Sequence, residues 1–574
     1  MKIFYLATLI LSLYSRDSYS QSPGWEWLKG AKGNGVQEAA AVAVDLYDNL
    51  YLVGDLQTGA DTLICDSLVV TCSQPNYNGR YSLVKYSPQG KALWARISYV
   101  TNDQGSAGMG VCTDPQGNVF ATGFFDNSIV FDNTHILTGG SIFTVKYDSL
   151  GNVLWANQGF ASSRAYPFSI TSDRIGNSYI TGSFSDEFIV FGSDTLRAAY
   201  IASTNLIPPA NYFLTKYSPT GNVLWTRTIF SPCDTEIVTG GAVTTDQYNN
   251  IYVAGGFLAD SIVIGGIPLY GSNTDYYEFL AKYDSQGNVL WAKNFGTGIG
   301  PSCIAVARDL SIYVSGGFSS SNMFTGAADV AILGPYILHN ANPGALNTGN
   351  FFIAKHDNLG NVIWAKSGST PGVSTTSWSM ALNENDDVFV SGGFKNSITF
   401  DSTTTLTQPH NDTLDPMFIV SFDPNGNVIC ATSLPSGGDD NNGIALDHKG
   451  NIYVGGDFFS NIYIPGVDTL IKSTTTGEFF FVAKYNCGIK LNGISEITSP
   501  IAIHPNPSTG TFYFSGLNAG SSVEIYDLLG QNIYAAKTDK ESTAVDLVAQ
   551  SKGVYFYRIS DGGSAIQQGK IVKE

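Results

Sequence analysis

Lys282-Tyr283-Asp284-Ser285-Gln286-Gly287-Asn288-Val289-Leu290-Trp291 and Asp447-His448-Lys449-Gly450-Asn451-Ile452-Tyr453-Val454-Gly455 are two phrases that recur along this chain. The first joins a strand ending in Lys-Tyr to a strand carrying Trp through a Gly-Asn turn. The second is an Asp-x-x-Gly-Asn turn that opens a β-branched and aromatic strand ending in Gly. Together they set a period of roughly 60 to 75 residues with four short strands, too long for a solenoid coil and the size of one propeller blade.

Working outward, each unit reads as strands A to D, in the first unit near Ala41–Val44, Leu50–Val53, Ser82–Tyr86 and Ala92–Ala95. The glycine of strand B recurs as Gly54, Gly123, Gly182, Gly255, Gly316, Gly392 and Gly455, which predicts seven blades. The tryptophan of strand D recurs as Trp94, Trp155, Trp225, Trp291 and Trp364, with Cys430 in the sixth unit. The seventh unit stops at Lys484-Tyr485-Asn486-Cys487, and its missing strand matches Gly24-Trp25-Glu26-Trp27-Leu28-Lys29, with Trp27 in register. The expectation is a seven-bladed β-propeller closed by an N-terminal strand, with these tryptophans packing between blades and no sheet edge left open at the seam.

The A to B turns carry Asp48, Gly117, Gly176, Asn249, Asp386 and Gly450 at the fourth position, residue types that tolerate positive φ. The fifth unit has Asp309-Leu310 instead and is expected to form a tighter hairpin. Aspartates that open the turns, such as Asp148, Asp284, Asp357 and Asp423, lack the alternating oxygen ligands of a calcium loop and read as turn caps. By strand parity these short turns share one face, while the long, divergent B to C loops share the other. Variable loops on a rigid scaffold usually carry binding, so the B to C face is the expected site. Many of these loops hold a small apolar pattern, such as Ile129-Val130-Phe131-Asp132 or Ile398-Thr399-Phe400-Asp401, and are expected to add short strands.

Composition narrows the function. Aromatic residues make up 13% and charged residues 14% of the 574 residues, with 62 glycines, as in a β-rich protein with many tight turns. A net charge of -18 excludes nucleic acid and anionic membrane surfaces as partners that need a basic patch. An apolar stretch, Ile3 to Tyr14, behind Lys2 and before Ser18-Tyr19-Ser20 reads as a signal peptide over residues 1–20. No later stretch is apolar enough to span a bilayer. Of the seven cysteines, Cys65 and Cys72 are the best candidate pair, while Cys112 and Cys303 fall in apolar strand patterns.

No catalytic, cofactor or metal residue stands out. The six histidines, at 135, 339, 356, 410, 448 and 504, form no HExxH motif, and neither a Gly-x-Ser-x-Gly elbow nor a phosphate loop occurs. His356 takes the register of the strand C tyrosine. The leading reading is a non-enzymatic binding or adhesion module for a glycan or protein. The alternative is a glycosidase or polysaccharide lyase in which two acids from different blades meet at the channel mouth.

After Cys487 the blade phrases end: residues 488–499 read as a linker and 500–574 as a small β-sandwich with strands at Thr511–Phe514, Val523–Tyr526 and Val554–Ile559. Residues Pro505, Asn506, Pro507, Gly510, Ile525 to Gln531 with Gly530, Gly553-Val554-Tyr555, and Gly569-Lys570-Ile571-Val572-Lys573 follow one another in the order of a known family. The segment resembles the type A sorting domain of the type IX secretion system of Bacteroidetes, and residues 21–487 resemble secreted propeller repeats of the same group. The resemblance implies the secretion machinery as partner, passage across the outer membrane, removal of the domain, and attachment to surface lipopolysaccharide or release.

Overall fold

The computed structural model describes residues 23–33, 36–57, 62–71, 79–100, 105–161, 165–185, 187–198, 211–229, 237–272, 276–319, 330–340, 349–369, 375–408, 416–434, 441–471, 479–489, 502–504, 508–515, 517, 520–527, 531–538, 542–561 and 564–573. The signal-peptide expectation lies outside them, as does all but 488–489 of the linker expectation. The chain divides into two compact units, Met1–Lys490 and Leu491–Glu574. Every described element is a strand, so the all-β expectation holds.

The first unit is propeller-like. Among the described residues it contains seven antiparallel A-B-C-D meanders; the first is Gln37–Val44, Leu50–Leu56, Arg80–Tyr86 and Ala92–Ile97. In the seventh, Asn441–Leu446, Ile452–Phe458 and Phe479–Asn486 are completed by Gly24–Gly30, whose Leu28 pairs with Ala483. The A strands neighbour one another in order, and the seventh contacts the first.

The recurrent strand B glycine has a steric cause. Each A to B ladder carries a bulge opposite it, as between Ala39 and Ala41 or Gly108 and Gly110. The bulge thrusts a carbonyl at strand B: a Cβ at Gly54, Gly123 or Gly316 would lie 1.9 Å from the oxygen of Glu38, Ala107 or Gly300. Only glycine fits there.

A second repeated unit holds neighbouring meanders together. Strand C lysines lie buried over strand B rings, Lys85 over Tyr51 and Lys146 over Phe120, and pair with the turn aspartates Asp45 at 3.3 Å and Asp114 at 3.0 Å. The strand D indoles donate to the C to D turn of the following meander. Trp27 reaches the carbonyl of Pro88, Trp94 that of Ser149, Trp155 that of Pro219, Trp225 that of Ser285 and Trp364 that of Pro424. Lys85, Lys216 and Lys355 donate to the same carbonyls as their tryptophans. Trp291 instead packs against Gly360 of the next turn.

The sixth meander breaks this rule in an informative way. Ser421 replaces its lysine and Cys430 its tryptophan, so neither donor is present. The seventh meander has no C to D turn, because its D strand comes from the start of the chain. Cys487 stands where Pro88 and Ser149 stand in their repeats, and it forms a disulfide with Cys430. A covalent bond thus takes the two aligned positions that elsewhere make the hydrogen bond. The expected partner of Cys72 is accordingly corrected: Cys65 is a free, buried thiol, while Cys72 lies outside the described residues.

One further expectation changes. The fifth A to B turn is no tighter than the rest: Ala307 N–H donates to Ser311 O and Leu310 N–H to Ala307 O, as Asp45 and Asp48 do in the first. Leu310 therefore adopts φ 67°, a left-handed conformation costly for a branched apolar residue. The B to C loops do add short strands, as their apolar patterns lead one to expect. Each contains a two-stranded hairpin, such as Phe188–Phe191 with Asp194–Arg197 or Ser261–Ile264 with Ile267–Tyr270. Five of these hairpins pair with the end of the preceding D strand, as Ile189 does with Ala161, or with the chain just beyond it, as Val130 does with Tyr99. Outer strands are thereby covered and lose their exposed pairing edge.

In the second unit, a three-stranded and a four-stranded antiparallel sheet share one core that includes Phe512, Phe514, Val523, Ile525, Tyr557 and Ile571.

Candidate functional site

The A to B turns are built around the aspartate that opens them. Asp45 Oδ1 accepts from the Tyr47 and Asn49 backbone N–H groups, and Oδ2 from the Tyr51 hydroxyl and the Asn49 amide. Asp173, Asp246 and Asp447 repeat the pattern with Tyr179, Tyr252 and Tyr453. Burial first, and then the neighbouring aspartate, pushes the Tyr51 and Tyr179 hydroxyls far up, so they stay donors. These carboxylates are fully engaged as caps.

Where A strands end, they enclose an open cavity of about 520 Å³ on the short-turn face. Its wall is the end of strand A: Val44, Thr113, Ser172, Thr245, Val306 and Leu446. Three hydroxyls are stitched to the preceding strand: Thr113 donates to Val44 O, Ser172 to Thr113 O and Thr245 to Ser172 O. The aspartates behind that wall are capped, and Asp45, Asp114, Asp246 and Asp447 also meet the lysines of strand C.

The rim is made by the second residue of six of the seven turns, and it varies: Leu46, Pro115, Arg174, Gln247, Arg308 and His448 all line the cavity, whereas Glu384 of the sixth turn does not. Arg308 pairs with Glu384 of the next turn at 3.0 Å, while its backbone N–H donates to Asp386. His448 and Asp48 are joined at 2.9 Å. That hydrogen bond raises the His448 imidazole, against the effect of burial. Burial acts to raise Asp48, but its hydrogen bonds to His448 outweigh it and hold the carboxyl down. Arg174 makes no ion pair among the described residues; its backbone N–H donates to Asn249.

This cavity lies on the face opposite the one that loop divergence favoured. Many of the B to C and D to A residues, including 199–210, 320–329 and 435–440, lie outside the described residues. The sequence signal for the cavity was present as variation at one position of an otherwise uniform turn. At the other ends of the strands, Asp55 pairs in register with Glu38, and burial together with Glu38 pushes its carboxyl up to about 8, despite a hydrogen bond from Gln57. Asp55 is buried and does not line the cavity. Among the described residues, no group of three or more His, Cys, Asp or Glu side chains is arranged to hold a metal.

In the second unit, the Gly510 carbonyl accepts from Leu547 N–H, and a Cβ at Gly510 would strike Val548. Gly553 opens the strand Gly553–Asp561, which pairs with Ser564–Lys573; there Gly569 faces Tyr557 and Lys570 faces Phe556. Lys573 Nζ holds the carbonyls of Val548 and Gln550. Pro505, Asn506, Pro507 and Gly530 lie outside the described residues. Residues 502–574 match the secretion system C-terminal sorting domain. This segment is a sorting domain. The sorting domain implies engagement with the type IX machinery and secretion or attachment at the cell surface. No helix among the described residues is long and apolar enough to cross a membrane.

Beyond the sorting domain, the likenesses are distant. An uncharacterized WD repeat-containing protein of Acanthamoeba polyphaga mimivirus is 25% identical over 511 residues, 74% of this chain, and the chain spans 36% of that protein's length. A solved structure of phage phi92 endosialidase covers 96% of this chain and 88% of its own at 10% identity and a TM-score of 0.37. PorZ, a surface component of the type IX secretion system of Porphyromonas gingivalis, covers 93% of this chain and 81% of its own at 11% identity and a TM-score of 0.21. A Dyadobacter fermentans protein of unknown function covers 81% and 99% at 10% identity and a TM-score of 0.34.

Proposed function

We propose that this protein is a β-propeller exported by the type IX system, displayed at the cell surface or released, and that it binds a ligand without transforming it. The seven meanders are its blades, and Gly24–Gly30 closes the ring, a reading supported by the pairing with Phe479–Asn486 and by the cyclic order of A strands. Residues 1–20 direct the first crossing into the periplasm, 21–487 form the propeller, 488–499 join it to the sorting sandwich, and 500–574 leave after outer-membrane passage. Surface lipopolysaccharide is the anchor if the protein stays on the cell.

The observation that carries binding over catalysis is the state of the acids. Glycoside hydrolysis needs two carboxyl groups facing the substrate. The aspartates at the cavity are instead capped by backbone N–H groups and tyrosine hydroxyls, and most also meet lysines. Asp55 and Glu38 lie at the far ends of their strands. Two measurements test this reading. Deleting Pro500 to Glu574 should leave a folded propeller in the periplasmic fraction; a truncated protein still on the cell surface refutes the export claim. The purified propeller should retain glycans or matrix proteins on an array without releasing reducing or unsaturated ends. Turnover there refutes the binding claim.

A further inference from the structure

We infer that the cavity on the short-turn face is a binding site for a small organic carboxylate, the class that includes acidic sugars; this rests on the binding reading above and names its ligand chemistry. The cavity is of small-molecule size at about 520 Å³. Its rim divides into an apolar part, Leu46 and Pro115, and a cationic part, Arg174, Arg308 and His448, with Gln247 between the two arginines in turn order. All but Gln247 of these rim side chains are exposed.

Charge decides the sign of the ligand. The chain carries -18 overall, so a rim with two arginines and a histidine runs against its average field. The carboxylates nearby are already held: Glu384 by Arg308, Asp48 by His448, and Asp45, Asp114 and Asp246 by turn caps and lysines. Asp173 accepts from Asn177, Tyr179 and two backbone N–H groups. Arg174 has no ion pair among the described residues, and a guanidinium has five N–H donors, so Arg308 keeps donors beyond its bond to Glu384. Paired guanidinium donors favour a carboxylate, whose two oxygens match their geometry. Leu46 and Pro115 supply the surface for the C–H face of the same ligand.

The uniform turns make this possible. An Asp or Asn cap in six of the turns and a left-handed fourth residue in all seven fix the backbone of the turns, which leaves the second residue free to vary without cost to the fold. Arg174 N–H to Asn249, Gln247 Nε2 to Arg308 O and Arg308 N–H to Asp386 then lock successive turns side by side. The rim is therefore held in place before any ligand arrives.

The test uses the full-length protein and calorimetric titration with galacturonate, galactose and sodium sulfate. Galacturonate should bind and galactose should not, since the pair differs in the carboxylate. Arg174→Gln combined with Arg308→Gln should weaken galacturonate by at least about tenfold. Arg197→Gln, on an outer hairpin, should leave affinity unchanged. The melting temperature of each variant shows that the fold is intact. Absence of galacturonate binding, or equal binding by the double variant, overturns the site while leaving a ligand found on the array in force. Sulfate binding as tight as galacturonate, with the same sensitivity, overturns the organic ligand. Consumption of galacturonate-containing oligomers overturns the non-catalytic reading and leaves the location of the site intact if the double variant also loses it.

Discussion

Reducing the Cys430–Cys487 disulfide should loosen the junction between the sixth and seventh meanders and destabilise the first unit by several kcal/mol. The bond closes a loop with a sequence separation of 57, for which the chain-entropy relation gives about 4 kcal/mol at 25 °C. At four other junctions, loss of one tie would leave another: at the first, both Trp94 and Lys85 donate to Ser149 O. At the sixth junction Ser421 and Cys430 supply neither donor, so the disulfide has no understudy. Unfolding in urea with and without a strong reductant isolates the cross-link without changing a side chain, and Cys430→Ala with Cys487→Ala serves as the second comparison. Hydrogen exchange should show peptides around Ile452–Phe458 and Phe479–Asn486 opening first. The Cys430→Trp and Cys487→Ser pair restores the indole and the turn residue of other repeats, and should recover part of the loss without any bond. A midpoint shift worth less than about 1 kcal/mol on reduction, or protection lost evenly over all seven meanders, would refute the idea that the bond stands in for the missing tie.

Trp27→Ala should cost about 3 kcal/mol or somewhat less, since the side chain is half-buried, and more than Trp378→Ala, because Trp27, unlike Trp378, ties the seventh meander to the first; urea unfolding of both variants compares them. Leu310→Asn should stabilise by about 1 kcal/mol through relief of its left-handed backbone, read as a raised urea midpoint with unchanged slope. Burial holds the His356 imidazole down at about 4, whereas the unfolded chain titrates near ~6.5. Stability is therefore complete above the unfolded value and falls as pH drops towards the folded one, by on the order of 3 kcal/mol. His356→Phe should flatten that acid limb, measured as the slope of unfolding free energy between pH 4 and 6.5 (on the order of 1 kcal/mol per pH unit for the native histidine).

The sequence made the inner frame legible because the frame is where residue type is dictated by covalent geometry. Gly54 and its equivalents face a bulged carbonyl, Gly117 and Gly450 sit at positive φ, and Asp45 caps its own turn, so no other residue type serves equally well. The outer hairpins are legible only as short apolar patterns in some of the loops, for the opposite reason. They need only an alternation of buried residues, such as Ile189 and Phe191 or Ile262 and Ile264, which many residues satisfy, so their repetition is hidden behind divergent spelling. The fifth turn was misread because Leu310 takes a conformation its side chain disfavours. There the hydrogen bonds and packing of the neighbours override local preference.

The disulfide and the cavity rim show where a repeat alignment becomes more than a count. Cys430 aligns with Trp94 and Cys487 with Ser149, and each looks like an isolated departure until the two columns are known to touch across a junction. Once Trp94 Nε1 is seen to bond Ser149 O, both departures become one event, since two positions that change together at the seam must have exchanged one tie for another. The same reasoning separates the rim from the frame. A column that is fixed in type reports a backbone requirement. A column that varies among Leu46, Pro115, Arg174, Gln247, Arg308, Glu384 and His448 on fixed backbone reports no such requirement, so its composition is free to answer to a ligand.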